Sequence, residues 1–352
     1  VTVTVAVFCG ALSYAQASDS VESLTQGEQA HVDKSSGEAV APADPTALID
    51  AMSLALQTLN YEGTFVYMQG MSLKSMHILH ASDYEGELER MTSLDGEARE
   101  VIRDHSLVTC IFPGSESVVL SKSKPRDLLP KVTSSLTDSV RYTYSLGDAD
   151  RVAGRATHVV EVTPRDDFRY GYRFWIDKET HMLLRSKLLD GPDKAVEQVL
   201  FTSIEYPKHV ERSRFDIDTD QEHISWIEPK ATEASERFEA FISKSSPSSE
   251  AVDRVSFHSL PAGYEEVSET YRTMPINDDP ISHVMVSDGM ASVSVYVEHV
   301  NLADQDENAA GLSSMGAMNA YGMSLDEAFV TVVGEVPAST VMAIAKAVKI
   351  EL

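Results

Sequence analysis

Short runs of alternating apolar and polar residues, broken by turn residues, fill the chain between positions 61 and 206. They predict strands over 62–69, 73–81, 86–93, 99–103, 106–112, 118–121, 140–144, 156–163, 169–176, 182–189 and 195–204. Val, Ile, Thr, Tyr and Phe recur in them and suit a pleated, half-buried surface. Asp95-Gly96, Pro113-Gly114 and Asp190-Gly191-Pro192 supply turns between runs. Gaps this short leave no room for a parallel crossover, so neighbouring strands should be antiparallel. A sheet this long must curl or close. Its concave side then fills with side chains or holds a ligand, and an apolar ligand is the expectation here.

Ahead of the strands, Asp44 or Thr46 can cap a helix running to about Asn60, with Pro45 in its first turn. Leu48, Met52, Ala55, Leu56 and Leu59 share one face at helical spacing. That face can plug the concavity, so Met52 and Leu56 are either core or ligand wall. The same two readings hold for Phe65, Tyr67, Tyr142, Tyr144 and Trp175. Phe174 and Trp175 point to opposite faces of one strand, so only one of them turns inward. Residues 121–139 interrupt the strands with Lys122, Lys124, Arg126 and Lys131 around Leu128 and Leu129. Basic heads beside apolar residues suit an anionic amphiphile, but a solvated loop with a small helix is the leading reading.

Beyond the strands, residues 207–250 read as a linker. Asp216, Asp218 and Asp220 imitate a calcium loop, but Gln221 stands where glycine is needed and Ile227 where glutamate is needed. From 251 a smaller mixed unit begins. A strand over 252–260 precedes a hairpin, 282–287 with 291–299, turning at Ser287-Asp288-Gly289. An acidic loop over 304–314 leads to strands over 315–321 and 328–334. Pro337 then opens a helix with Val341, Ile344, Ala345 and Val348 inside. The fold class is mainly β with helices (α+β): a large antiparallel domain over 44–206 and a smaller one over 251–352.

The 352 residues carry a net charge of −26, which argues against a nucleic-acid partner. Residues 1–12 are an apolar run of secretory length, and Ala15-Gln16-Ala17 precedes a cleavage position between Ala17 and Ser18. Residues 1–17 are therefore expected to be a signal peptide and 18–43 a disordered leader. After cleavage only Cys110 remains, so no internal disulfide is expected. No catalytic set emerges. Met315 ends the run from Gly311 where a nucleophile elbow needs glycine. His77 and His80 fall on opposite strand faces and share no metal. The expectation is a binding protein with no cofactor and no metal, not an enzyme.

Several stretches resemble the RseB/MucB family of sigma-E factor regulatory proteins. They are Leu59-Asn60-Tyr61-Glu62-Gly63-Thr64-Phe65 and Leu94-Asp95-Gly96-Glu97-Ala98-Arg99-Glu100-Val101-Ile102-Arg103. Further on come Asp288-Gly289-Met290-Ala291-Ser292-Val293-Ser294-Val295, Met315-Gly316-Ala317-Met318-Asn319-Ala320-Tyr321-Gly322 and Val332-Val333-Gly334-Glu335-Val336-Pro337. The resemblance runs in order from about Asp44 to Val348. It implies a large domain like the lipoprotein carriers LolA and LolB, an unclosed barrel with helices in its concavity, followed by the family's C-terminal domain. It also implies a periplasmic protein that binds the periplasmic part of the anti-sigma factor RseA or MucA. Binding would hinder site-one cleavage by DegS, and lipopolysaccharide or another acyl lipid would release the partner. A homodimer stays open. The competing class is a periplasmic lipid or lipoprotein carrier, which has no need of residues 251–352.

Overall fold

The structure, a computed structural model, describes residues 44–84, 86–104, 107–112, 117–121, 140–217, 225–227, 254–274, 277–299, 310–326 and 328–351. The expected signal peptide, its Ala17/Ser18 cleavage position, the leader, most of the basic segment and much of the linker lie outside the described residues.

Helix α1 (Pro45–Thr58) begins as its sequence requires. The Asp44 carboxylate accepts from the Thr46 backbone N–H at 3.1 Å, and Pro45 occupies the first turn, where its missing N–H costs nothing. Ile49 and Met52 are fully buried and Leu48 and Leu56 nearly so. Each such side chain contributes about 1.5–3 kcal/mol on burial.

The large sheet contains β1 (Tyr61–Gln69), β2 (Ser72–Asp83), β3 (Gly86–Ser93), β4 (Glu100–Asp104), β5 (Leu107–Phe112) and β6 (Ser117–Ser121). It continues with β7 (Tyr142–Leu146), β8 (Asp150–Val152), β9 (Arg155–Pro164), β10 (Gly171–Asp177), β11 (Leu183–Leu189), β12 (Ala195–Glu205) and β13 (Ser225–Ile227). Their spatial order is β13-β6-β5-β4-β3-β2-β1-β12-β11-β10-β9-β7, with β8 beside β9. Among the described residues the two end strands do not pair, so the sheet is unclosed. All pairs are antiparallel except β13 with β6, which is parallel. That exception is possible because a long connection separates the two strands.

Register sorts the side chains. Phe65 stands opposite Met76 and Phe201, and Phe174 opposite Val160 and Ser186. The face holding them packs on α1, in one core with Leu48, Ile49, Met52, Leu56, Ile78 and Val199. The opposite face carries a smaller core of Leu79, Ala81, Leu88 and Ile102. It is covered by Val210 and by Phe215 of a 3₁₀ turn, Arg212–Phe215. The start of the expected linker is thus docked structure. Arg214 donates two hydrogen bonds to Glu62, at 2.7 and 2.9 Å, and Arg212 one to Asp83 at 2.7 Å.

The Arg214 hydrogen bonds, with His77 at 3.1 Å adding to them, hold the Glu62 carboxyl below its ordinary pKa despite partial burial. A depressed folded pKa stabilises above the unfolded value of about 4.3 and is lost as pH falls through the folded value. Stability of wild type should therefore fall below about pH 4 with a component that Glu62→Gln lacks. Urea denaturation at stepped pH reads it, and parallel slopes in the two proteins would refute it.

The smaller unit has a pair, β14 (Arg254–Phe257) with β21 (Val348–Glu351), and a six-stranded sheet. That sheet is ordered β15 (Glu265–Met274), β16 (Asn277–Ser287), β17 (Ser292–His299), β20 (Ala328–Gly334), β19 (Met318–Leu325), β18 (Gly311–Met315). Val293, Val295 and Val297 alternate inward as their spacing predicts, and pack with Val330 and Val332 against Val341 and Ile344 of α2 (Ala338–Ala347). Three expectations change. Strand β15 was not expected, because Glu265, Glu266, Ser268 and Glu269 give it no apolar alternation; it is a sheet edge. The expected single strand 315–321 is a hairpin bend at Gly316, whose φ of +61° suits glycine, so 311–314 are strand rather than loop. Val348 is buried as expected, but as the first residue of β21, since the helix ends at Ala347.

Candidate functional site: the concave face and the junction of the two sheets

The structure brings six of the candidate wall residues to one place. Met52, Leu56, Phe65 and Tyr142 are buried in the core under α1, and Tyr67 and Tyr144 pack against it half-buried. Burial pushes the Tyr142 phenol well above its ordinary pKa, so it stays neutral. Trp175 is buried in the same cluster, but on the other phase of its strand from Phe174. It stands opposite Val159 and Arg185 on the alternate face. Its indole N–H donates to Asp150 at 2.8 Å, and the Arg185 guanidinium lies 4.4 Å from the ring. Lys122, Lys124, Arg126, Leu128 and Leu129 lie outside the described residues. Helix α1 covers the face of the sheet that holds Phe65.

A second site, not expected from the sequence, lies where the two sheets meet. Arg169 precedes β10 and is almost fully buried. Its Nε donates to the Asp288 carboxylate at 2.6 Å, another nitrogen to Asp166, and a third to the Ala262 carbonyl at 2.5 Å. Its guanidinium also lies 5.0 Å from the Tyr264 ring. Asp288, whose side chain is fully buried, uses its other oxygen to accept from the backbone N–H groups of Met290 and Ala291, at 3.0 and 2.9 Å. Arg141 donates to the Asp288 carbonyl at 2.9 Å. Gly263, at φ +84°, leaves room for Arg141: a Cβ there would stand 2.1 Å from Nε. A buried charge pair needs such full satisfaction, because each ion left water to form it.

Around this pair the contact is polar and buried. The Tyr170 hydroxyl donates to the Ala317 carbonyl at 3.0 Å and accepts from Asn319, also at 3.0 Å. Burial raises its pKa to about 12. Ser339 and Thr340 at the start of α2 donate to the carbonyls of Asp167 and Phe168. Tyr170→Phe should cost about 1–3 kcal/mol, since the buried Ala317 carbonyl loses its donor and the Asn319 amide keeps only the Val336 carbonyl as acceptor. Equilibrium unfolding checks this, and an unchanged midpoint would show that the contact is replaceable.

Beside this contact lies a cavity of ≈ 400 Å³. Tyr172 of β10 lines one wall, and Met290, Ser294, Met318, Val333 and Glu335 of the smaller unit line the rest. Two methionines make its wall adaptable in shape. Among the described residues, no group of three His, Cys, Asp or Glu side chains is placed to hold a metal. No described helix is long and apolar enough to cross a membrane. Asp288 was legible only as a turn residue, and Arg169 only as one charge in Arg165-Asp166-Asp167-Phe168-Arg169. Nothing local in the sequence joins them.

The described architecture has known counterparts. Sequence models of the MucB/RseB N-terminal domain and the MucB/RseB C-terminal domain match residues 44–219 and 249–349. The sigma-E factor regulatory protein RseB of Salmonella typhimurium is 30% identical over 316 residues, 88% of this chain and 92% of that protein. The sigma factor AlgU regulatory protein MucB of Pseudomonas aeruginosa is 26% identical over 313 residues, again 88% and 92%. Among solved structures, the complex of P. aeruginosa MucA/MucB matches with a TM-score of 0.66 at 25% identity, over 88% of this chain and 100% of that one. The crystal structure of MucB in complex with MucA(peri) matches with a TM-score of 0.64, also at 25% identity and with the same coverage. The matches run through both sheets in order, and the chain belongs to the MucB/RseB family.

Proposed function

We propose that the chain is a periplasmic negative regulator of a sigma-E-type envelope stress response. It binds the periplasmic part of an anti-sigma factor of the RseA/MucA kind and shields it from site-one (DegS-type) proteolysis. Lipopolysaccharide or another acyl lipid releases that partner. The observation that carries this reading is the likeness, over 88% of the chain, to MucB structures solved in complex with MucA. In this reading residues 1–17 direct export, 18–43 are a leader, 44–206 form the lipid-sensing half-barrel, 207–250 connect, and 251–352 complete the partner site.

The mechanism is a linkage. The acyl chain takes the place of α1 against Phe65, Tyr67, Tyr142 and Tyr144, while Lys122, Lys124 and Arg126 meet the lipid's anionic groups. Each methylene buried contributes about 0.8 kcal/mol. A few methylenes therefore supply the roughly 1–3 kcal/mol of a typical coupling between two sites. Titration of the purified chain with the periplasmic segment of its cognate anti-sigma factor, with and without lipopolysaccharide, tests this. Lipid should weaken the segment's affinity by about 5–150-fold. Lipid binding without any segment binding would instead mark a lipid carrier.

A further inference from the structure

We propose that the outer edge of β18 is a docking edge. It takes an extended, neutral or basic segment of a partner chain as a seventh strand of the smaller sheet. The proposal rests on the regulatory reading above and names where part of the anti-sigma segment sits.

A sheet edge offers unpaired N–H and C=O groups, and proteins normally guard it with charge, proline or bulges. One edge of this sheet is guarded in that way. Strand β15 carries Glu265, Glu266 and Glu269, and its register with β16 shifts at two places. The other edge is bare. Strand β18 reads Gly-Leu-Ser-Ser-Met, with no charge and no proline, and its register with β19 runs without a shift. All five residues are exposed, Leu312 at 48% and Met315 at 69%. Among the described residues, β19 is its only strand partner.

The geometry says which groups are on offer. The two-residue turn Gly316-Ala317 closes the hairpin at the Met315–Met318 pair. Hydrogen-bonded pairs then alternate, so Met315, Ser313 and Gly311 bond to β19, while the N–H groups of Leu312 and Ser314 point outward. An added strand would gain its affinity from these main-chain groups and its selectivity from alternate side chains. One of its faces would continue the row that contains Met315. Met318, opposite Met315, lines the cavity beside Tyr172, so the added strand lies one strand away from that cavity.

Charge selects the occupant. The chain carries −26, and in the sequence Asp304, Asp306 and Glu307 precede the hairpin while Asp326 follows it. A second copy would bring the same sign of charge to this edge. A basic extended segment meets attraction instead, and a neutral one meets no repulsion.

The test uses the full chain and the periplasmic anti-sigma segment. Amide hydrogen exchange at Leu312 and Ser314 should slow on binding. Leu312→Pro removes one outward N–H and spares the ladder to β19. Ser313→Lys places a guarding charge on the edge. Both should weaken the segment's affinity at least tenfold, with the thermal midpoint of the lysine variant unchanged. Affinities within twofold of wild type, with no slowing of exchange, would overturn the docking edge alone. A wild-type dimer that both variants split, with segment affinity unchanged, would also overturn it and give the edge to a second copy. Failure of wild type to bind the segment would overturn the regulatory reading, and the docking edge with it.

Discussion

Asp288→Ala lowers the stability of the folded chain by about 3–5 kcal/mol, the usual cost of leaving one ion of a buried pair alone. The Arg169 side chain is 1% exposed and the Asp288 side chain 0%. Without Asp288, Arg169 keeps Asp166 and the Ala262 carbonyl, but loses the carboxylate 2.6 Å from its Nε. The backbone N–H groups of Met290 and Ala291 lose their acceptor as well, so the β16–β17 turn loosens at the same time. Asp288→Asn separates the two effects. It keeps an acceptor for the turn and removes the charge, so the difference between the two variants measures the turn. The contact joins residues 119 positions apart, each beside a strand of a different sheet, and it is flanked by Tyr170, Tyr264 and Thr340. Both variants should therefore unfold in two steps in urea, the smaller unit and the large sheet separating where wild type melts once. A single transition in the alanine variant with a loss under 1 kcal/mol would mean that the remaining contacts hold the junction unaided.

Strands were legible wherever burial is one-sided. The alternation of Val293, Val295 and Val297 fixed both the strand and its inner face, because the side-chain period of a strand is two. Strand β15 was illegible because an edge strand exposed on both sides has no apolar phase to read. The bend at Gly316 was hidden for a related reason. Met315 to Tyr321 carries enough apolar residues to pass for one strand, and only a backbone at positive φ divides it. At the concave face the sequence supplied the residues but not their common position. Tyr67 and Tyr144 come from strands far apart in the chain, and the ladder β1-β12-β11-β10-β9-β7 carries one face through to both. The alternate phase of Trp175 was legible; which phase faces α1 was not. The junction was beyond reach for a different reason. Arg169 and Asp288 each satisfy a local role, as a charge ahead of a strand and as a turn residue, so neither signals a partner.

Phe65→Ala has the other large effect. It should cost about 3–5 kcal/mol, the usual loss when a buried phenylalanine is truncated. Phe65 is fully buried, with the Phe201 ring centroid 5.5 Å away and Met76 opposite it on β2. Its removal leaves an apolar space under α1, beside Met52 and Leu56 in the same core. Such a space stays dry and accepts small apolar molecules. The variant should therefore bind benzene measurably, and should bind acyl lipid more tightly than wild type, because part of the room a chain needs is already open. Trp175→Ala is the control. It also removes a large buried aromatic, but from the opposite face, where Arg185 covers the ring. It should destabilise the protein without raising lipid affinity. Calorimetric titration of both variants with one short-chain lipid decides the matter. Tighter binding by Phe65→Ala alone places the acyl chain on the concave side. Equal gains in both variants would mean that general loosening admits the lipid, and the concave face would lose its claim to be the sensor.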